Sequence, residues 1–246
     1  MSYKENPKFT GSGILACVPQ KGTCPIGCKD CFFTEGKSYL SPLVDNLPNL
    51  PPVELGKNHV VRVNDGNDSN VDRETVMKAA SVYPMKFYNT AIPILAHFDA
   101  PVVLTLNPGK DTDIRIHFVS ALDDLKKLMF VRFRVNAWNL SKCDLAVEYY
   151  AREEIPIVLT FMAYNEIADI PEEHQKYYID RKRTLNNYWA ITTAGWEMIM
   201  SRYKYNKWVY SCGKVEGELG KPSCRFCGNC LREYFAAMER LAGDKA

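Results

Sequence analysis

The sequence lacks a long apolar run. A stretch such as IPIVLTFMAY at 155–164 is too short to span a bilayer. The first residues, MSYKENPKFT, hold no apolar segment of signal-peptide type, so a cytoplasmic chain with no membrane partner is expected. An excess of either charge is also missing. The 31 Lys and Arg against 29 Asp and Glu leave a net +2, which argues against a whole-molecule basic field that binds nucleic acid indiscriminately. No G-x-G-x-x-G follows a strand-like run, which leaves a dinucleotide fold without support. No Ser/His/Asp set or paired carboxylates can be singled out, and His59, His97, His117 and His174 show no metal-ligand spacing. What remains is 246 residues, 46% apolar and 24% charged, an ordinary globular composition that excludes disordered, collagen-like and fibrous proteins.

A rhythm of strand-like and helix-like segments fills the first two thirds of the chain. GILACVP (13–19) reads as a buried strand, and the Pro-rich stretch at 36–58 as an irregular connection. HVVRVN (59–64), MKFYN (85–89), PVVLTLN (101–107), FVRFRVN (130–136) and IPIVLTFMAYN (155–165) read as five further strands. Helices are expected over 71–83, with Asp68, Ser69 or Asn70 as N-cap, over 117–128 and over 141–154. Alternating strands and helices argue for an α/β fold with a parallel sheet. Six strands are too few for a complete eight-stranded barrel, so the expectation is a partial (β/α)6 TIM-like barrel, with a doubly wound sheet as the alternative. The division expected is a barrel core at 10–170 and a C-terminal helical, cysteine-rich extension at 171–246.

Each of the five later strands ends in asparagine: Asn64, Asn89, Asn107, Asn136 and Asn165. Ligands of parallel α/β sheets sit at the C-terminal strand ends, so five amides there suggest a polar ring around a ligand. The competing reading is that Asn simply ends strands and starts turns. In FVRFRVN the alternation puts Arg132, Arg134 and Asn136 on one face. Two arginines inside a barrel wall call for an anion, and the competing reading is an outward-facing set.

Nine cysteines are the informative number. In a reducing compartment they point to metal or redox chemistry before disulfides. TCPIGCKDCFF places Cys24, Cys28 and Cys31 at C-x3-C-x2-C just after the first strand. Three thiolates on a short loop suit an iron–sulfur cube and leave one iron open to an exogenous ligand. Zinc wants a fourth ligand, and none lies nearby. Cys17 and Cys143 stand alone and read as buried, structural residues.

On Cys24-x3-Cys28-x2-Cys31 and the βα units that follow, over residues 13–165, the chain resembles the radical S-adenosylmethionine (SAM) superfamily. The resemblance implies that Cys24, Cys28 and Cys31 hold a 4Fe–4S cluster whose open iron is chelated by SAM. Reductive cleavage of SAM then gives a 5′-deoxyadenosyl radical that abstracts hydrogen from a substrate. A reductant such as flavodoxin or ferredoxin is implied with it. Two features depart from the family pattern. The residue before the third cysteine, often aromatic, is Asp30, with Phe32 and Phe33 just after. The Gly-Gly-Glu often found after strand two is Asn64-Asp65-Gly66-Asn67 here. Asn64 or Asp65 is then the acceptor for the SAM ammonium, with Gly66 in the same stretch. Arg134 or Asn136 lies near its carboxylate or ribose, and Asn89 and Asn107 line the same face.

A second set, Cys212 and Cys224-x2-Cys227-x2-Cys230, combines a ferredoxin-like spacing with an upstream fourth thiol. It suits a second, auxiliary 4Fe–4S cluster for electron relay or structure, with zinc as the competing occupant. Relatives in the superfamily carry such clusters downstream of the barrel. Residues 176–210 hold seven Lys or Arg, two acidic residues and nine aromatics. That mixture suits nucleotide stacking, or else a partly buried helical segment. A nucleotide, nucleic acid, peptide or small molecule is the substrate class expected. The alternative function is a non-catalytic Cys-rich zinc or iron–sulfur module binding RNA.

Overall fold

The structure is a computed structural model that describes residues 2–36, 38–107, 114–182, 187–213 and 224–243. Its main sheet has seven parallel strands: β1 (Ile14–Cys17), β2 (Val60–Val63), β3 (Lys86–Thr90), β4 (Val102–Leu106), β5 (Leu128–Val135), β6 (Ile157–Phe161) and β9 (Val209–Ser211). An antiparallel hairpin, β7 (Tyr178–Lys182) with β8 (Asn187–Ile191), stands apart from it. The helices are α1 (Leu43–Asn46), α2 (Val53–Gly56), α3 (Arg73–Ala80), α4 (Leu122–Lys127), α5 (Leu140–Arg152), α6 (Thr193–Ser201), α7 (Cys224–Cys227) and α8 (Asn229–Gly243).

Strand order runs β1-β2-β3-β4-β5-β6-β9 with no reversal. A doubly wound sheet reverses its strand order at a switch point, so that alternative is excluded. Right-handed crossovers wound in one direction put the connecting helices on one face and curl the sheet around the other, as a half-barrel. Only the β3–β4 connection, 91–101, has no helix.

Side-chain alternation sorts the two faces. Val61, Val63, Tyr88, Val102, Leu104, Val131, Phe133, Ile157 and Leu159 enter the main core with residues of α3, α5 and α6. Val60, Phe87, Val103, Phe130 and Val158 point to the concave face and pack with Tyr234 and Ala237 of α8. The apolar stripe of α8 therefore plugs the half-barrel interior. A register shift at Val102/Val103 lets Met129 and Phe130 both reach this inner layer.

Several expectations are corrected here. The helix expected over 71–83 spans Arg73–Ala80, and its N-cap is Asp72, in the left-handed region at φ 55°, with no side-chain cap bond. Asp68, Ser69 and Asn70 lie in the loop before it. The segment at 176–210 is not one helical stretch: it runs through β7, β8, α6 and β9. Residues 183–186 of that segment lie outside the described residues. Val209–Ser211 adds a seventh strand, and the main core draws on residues from Cys17 to Val209. Cys17 and Cys143 are fully buried in that core, and burial pushes the Cys143 thiol up to about 12.

Candidate active site

The first cysteine loop is tied across the C-terminal ends of the sheet by side chains from distant strands. At its start, Gln20 Nε2 donates to the carbonyls of Asp68 (2.8 Å) and Val71 (2.9 Å), and Asn67 donates to the carbonyl of Gly22 at 3.0 Å. At its end, Glu35 accepts from the Cys31 amide at 3.1 Å and from Asn165 Nδ2 at 2.6 Å. Lys29 pairs with Asp169 beyond β6 at 3.3 Å. Arg134 Nη2 donates to the Asp30 carbonyl at 3.2 Å, inside the loop. Strand ends β2, β5 and β6 thus all hold the segment that carries Cys24, Cys28 and Cys31.

Within the loop, Cys24 lies in electrostatic reach of Cys28 and Cys31, and Cys28 of Arg134 and Asp68. Burial pushes the Cys24 thiol up to about 11 and raises Cys28 as well, so both are neutral thiols that must lose a proton on binding a metal. Phe33 is fully buried against Gly66: a Cβ at residue 66 would lie 2.3 Å from its ring, and Gly66 has φ +141°. Glycine is required there because the ring occupies the side-chain space.

The five asparagines do not form one ring of equivalent contacts. Asn89 is a wall residue, donating to the Val63 carbonyl at 2.8 Å and accepting from Arg132 at 3.0 Å. Asn136 starts the turn into α5: its Oδ1 accepts from the amides of Trp138 and Asn139, and its Nδ2 donates to Tyr164 Oη. Asn165 is bound to Glu35, and Asn107 is half-buried after β4. Asn64 differs. It is buried at φ 61°, its Nδ2 donates to Ser69, and its Oδ1 is a buried acceptor with no partner. Asp65 beside it is held by Arg62 (3.0 Å) and Asn6 (2.5 Å).

The second cysteine set converges inside the half-barrel. Cys212 follows β9, its amide bonded to the Leu159 carbonyl at 2.9 Å. Cys224 and Cys227 lie on α7 and Cys230 on α8. All four line one enclosed cavity together with Arg62, Phe130, Arg132 and Val158 of the concave face. Residues 8–16 cover it: the Lys8 carbonyl accepts from the Cys224 amide, and Phe9, Ile14 and Ala16 pack on Cys224 and Cys230. Burial pushes Cys224 up to about 12 and raises Cys227 and Cys230. The Gly-rich stretch at 214–223 lies outside the described residues.

Among the described residues, no three His, Cys, Asp or Glu side chains are close enough to share one metal ion. A tetrathiolate zinc site would need sulfurs about 3.8 Å apart, from Zn–S bonds of about 2.3 Å at tetrahedral angles. A cube, with a ligand at each corner, spreads its thiolates further. All four thiols here line one cavity.

A second, open hollow of about 570 Å³ lies beside Glu35, lined by Asn165, Glu166, Asp180, Asn187 and Trp189. The hairpin therefore borders the mouth, but the described lining is acidic although the segment from 176 to 210 is basic overall. Arg62 was missed by the sequence reading. Its signal was a lone charge within VVRV, on a strand whose other residues are apolar.

No described helix is long and apolar enough to cross a membrane. No protein-family model matches the chain, and no curated protein matches it. One solved structure, a spore photoproduct lyase double mutant with bound AdoMet and dinucleoside spore photoproduct, is similar at a TM-score of 0.42. That likeness covers 85% of each chain at 10% identity.

Proposed function

We propose that the chain is a radical SAM enzyme. The observation that carries this reading is the placement of the Cys24-x3-Cys28-x2-Cys31 loop. It lies across the C-terminal ends of a parallel sheet wound in one direction, where such folds bind ligands. When bound there, a 4Fe–4S cluster supplies the electron that splits SAM into methionine and a 5′-deoxyadenosyl radical, which takes hydrogen from the substrate.

The chain's own residues would bind and orient. Cys24, Cys28 and Cys31 supply three thiolates. Asn64 Oδ1, a buried acceptor without a partner, suits the SAM ammonium. Arg134, beside Cys28 and Asp30, suits its carboxylate. Gly66 lets Phe33 close over the loop. Asn89 and Asn136 hold the barrel wall through their protein partners, and Asn107 stands at the mouth. Cys212, Cys224, Cys227 and Cys230 would hold a second 4Fe–4S cluster with no open iron, for electron relay or to anchor the C-terminus. Substrate then binds at the mouth beside Trp189, as a small molecule, nucleotide or peptide, and a one-electron reductant completes the cycle.

Metal analysis with an absorbance scan of anaerobically purified protein tests this reading. About eight irons per chain are expected from two cubes. A colourless protein holding zinc and no iron would overturn it in favour of a Cys-rich RNA-binding module.

A further inference from the structure

The second cysteine site contains two cations that the proposed function leaves unused. Arg132 is 8% exposed, on the concave face of β5. Its Nη1 donates to Asn89 (3.0 Å) and Thr105 (3.3 Å), both neutral, and its Nη2 is buried with no partner. Arg62, on β2, binds Asp65 through Nη2, and its Nε is likewise buried and unpartnered. Rings fix both guanidinium groups: Phe9 lies under Arg62 at 5.3 Å and Phe130 under Arg132 at 5.6 Å. Both line the cavity with the four cysteines. Arg62 lies within electrostatic reach of Cys230, Cys224 and Cys212, and Arg132 of Cys230 and Cys212.

Two like charges buried side by side are costly, and a buried guanidinium N–H without an acceptor adds to that cost. Thr105, Asn89 and Asp65 satisfy only part of the demand. A doubly positive iron–sulfur core with four thiolates carries two net negative charges, and three once it takes up an electron. Such a group supplies both the missing acceptors and the missing charge.

We propose that Arg62 and Arg132 are positioning residues for the second cluster. In this role Arg62 Nε and Arg132 Nη2 donate hydrogen bonds to its sulfurs, and the two cations favour its reduced form. The inference rests on the reading that Cys212, Cys224, Cys227 and Cys230 hold a cluster. Arg132 carries the larger share, because Asp65 pairs directly with Arg62 at 3.0 Å while the hydrogen-bond partners of Arg132 Nη1 are neutral.

The test uses the full-length chain with Cys24, Cys28 and Cys31 all changed to Ala, so that only the second cluster is read. Its iron content and its midpoint potential, from an EPR-monitored dithionite titration, are compared with those of three further variants on that parent. The parent should keep about four irons. Arg132→Met should shift the midpoint to more negative potential, Arg62→Gln should shift it less, and Arg132→Lys should stay near the parent. Loss of iron from Arg132→Met with retention in Arg132→Lys supports the same assignment. Three variants that bind iron and titrate at the parent's midpoint would overturn the arginine assignment and leave the second cluster standing. Loss of iron from both Arg132 variants, with an unchanged circular dichroism spectrum, would also overturn it, since charge would not be the property required. A parent without iron would overturn the second cluster itself, and the inference with it.

Discussion

Arg62 holds the carboxylate of Asp65 at 3.0 Å, while the side-chain oxygen of Asn64, the preceding residue, has no partner. Two adjacent residues at the end of β2 are thus assigned to two different sites. On the proposed reading Asp65 stands with the arginines of the second cysteine set, and Asn64 would supply the acceptor at the first.

Asn64→Gly keeps the left-handed backbone and removes the amide. Losing a hydrogen bond to a charged group costs about 1.5–3 kcal/mol, so SAM affinity should fall roughly ten- to a hundredfold. Asp65→Asn should leave SAM affinity near that of the unaltered protein. It should instead lower the urea midpoint, because breaking a buried ion pair costs about 3 kcal/mol. Equilibrium dialysis of the reconstituted protein with SAM reads the first effect. The reverse ranking would contradict the assignment.

Gly66→Ala brings a methyl to 2.3 Å from the Phe33 ring at a backbone φ of +141°. The ring is fully buried. Overpacking of this kind costs about 1–3 kcal/mol. A lower urea midpoint is expected, with reduced iron at the first site, and unaltered values of both would show that the loop tolerates a side chain there.

The half-barrel was legible because its strands are short apolar runs that alternate with helical segments, and simple alternation put Arg132 and Arg134 on one face of β5. The same logic applied to Arg62 would have found the second cation, but one charge in VVRV is a weaker signal than two in FVRFRV. β9 was missed because three residues carry no periodicity, and its place in the sheet comes from pairing with Ile157–Leu159. The hairpin was missed because Tyr178 and Trp189 sit among polar residues that suit an amphipathic helix equally well. Asparagines at strand ends were visible, but not their partners. Asn89 is claimed by Arg132 from two strands away, a contact that spacing along the chain does not encode.

Cys212 is separated from Cys224 in sequence, yet both line the same cavity. Cys212→Ser should alter the EPR signal of the second cluster and leave the SAM-bound signal of the first intact. An unchanged second signal would show that Cys212 is not a ligand and that the fourth iron is open to an exogenous ligand.

Tyr234 is 3% exposed and packs against Phe87 at the base of the concave face, with ring centroids 6.4 Å apart. It fastens the helix that carries Cys230. Tyr234→Ala should cost about 3 kcal/mol, read as a lower denaturation midpoint, and should release iron from the second site before the first. Iron lost equally from both sites would contradict the separate anchoring of the two loops.

The central claim is tested most directly by incubating anaerobically reconstituted protein with dithionite and SAM and measuring 5′-deoxyadenosine by chromatography. The account predicts that it forms, and that it vanishes together with the first cluster's EPR signal when Cys24, Cys28 and Cys31 are all changed to Ala. A protein with its first cluster demonstrably present that yields no 5′-deoxyadenosine would contradict the account.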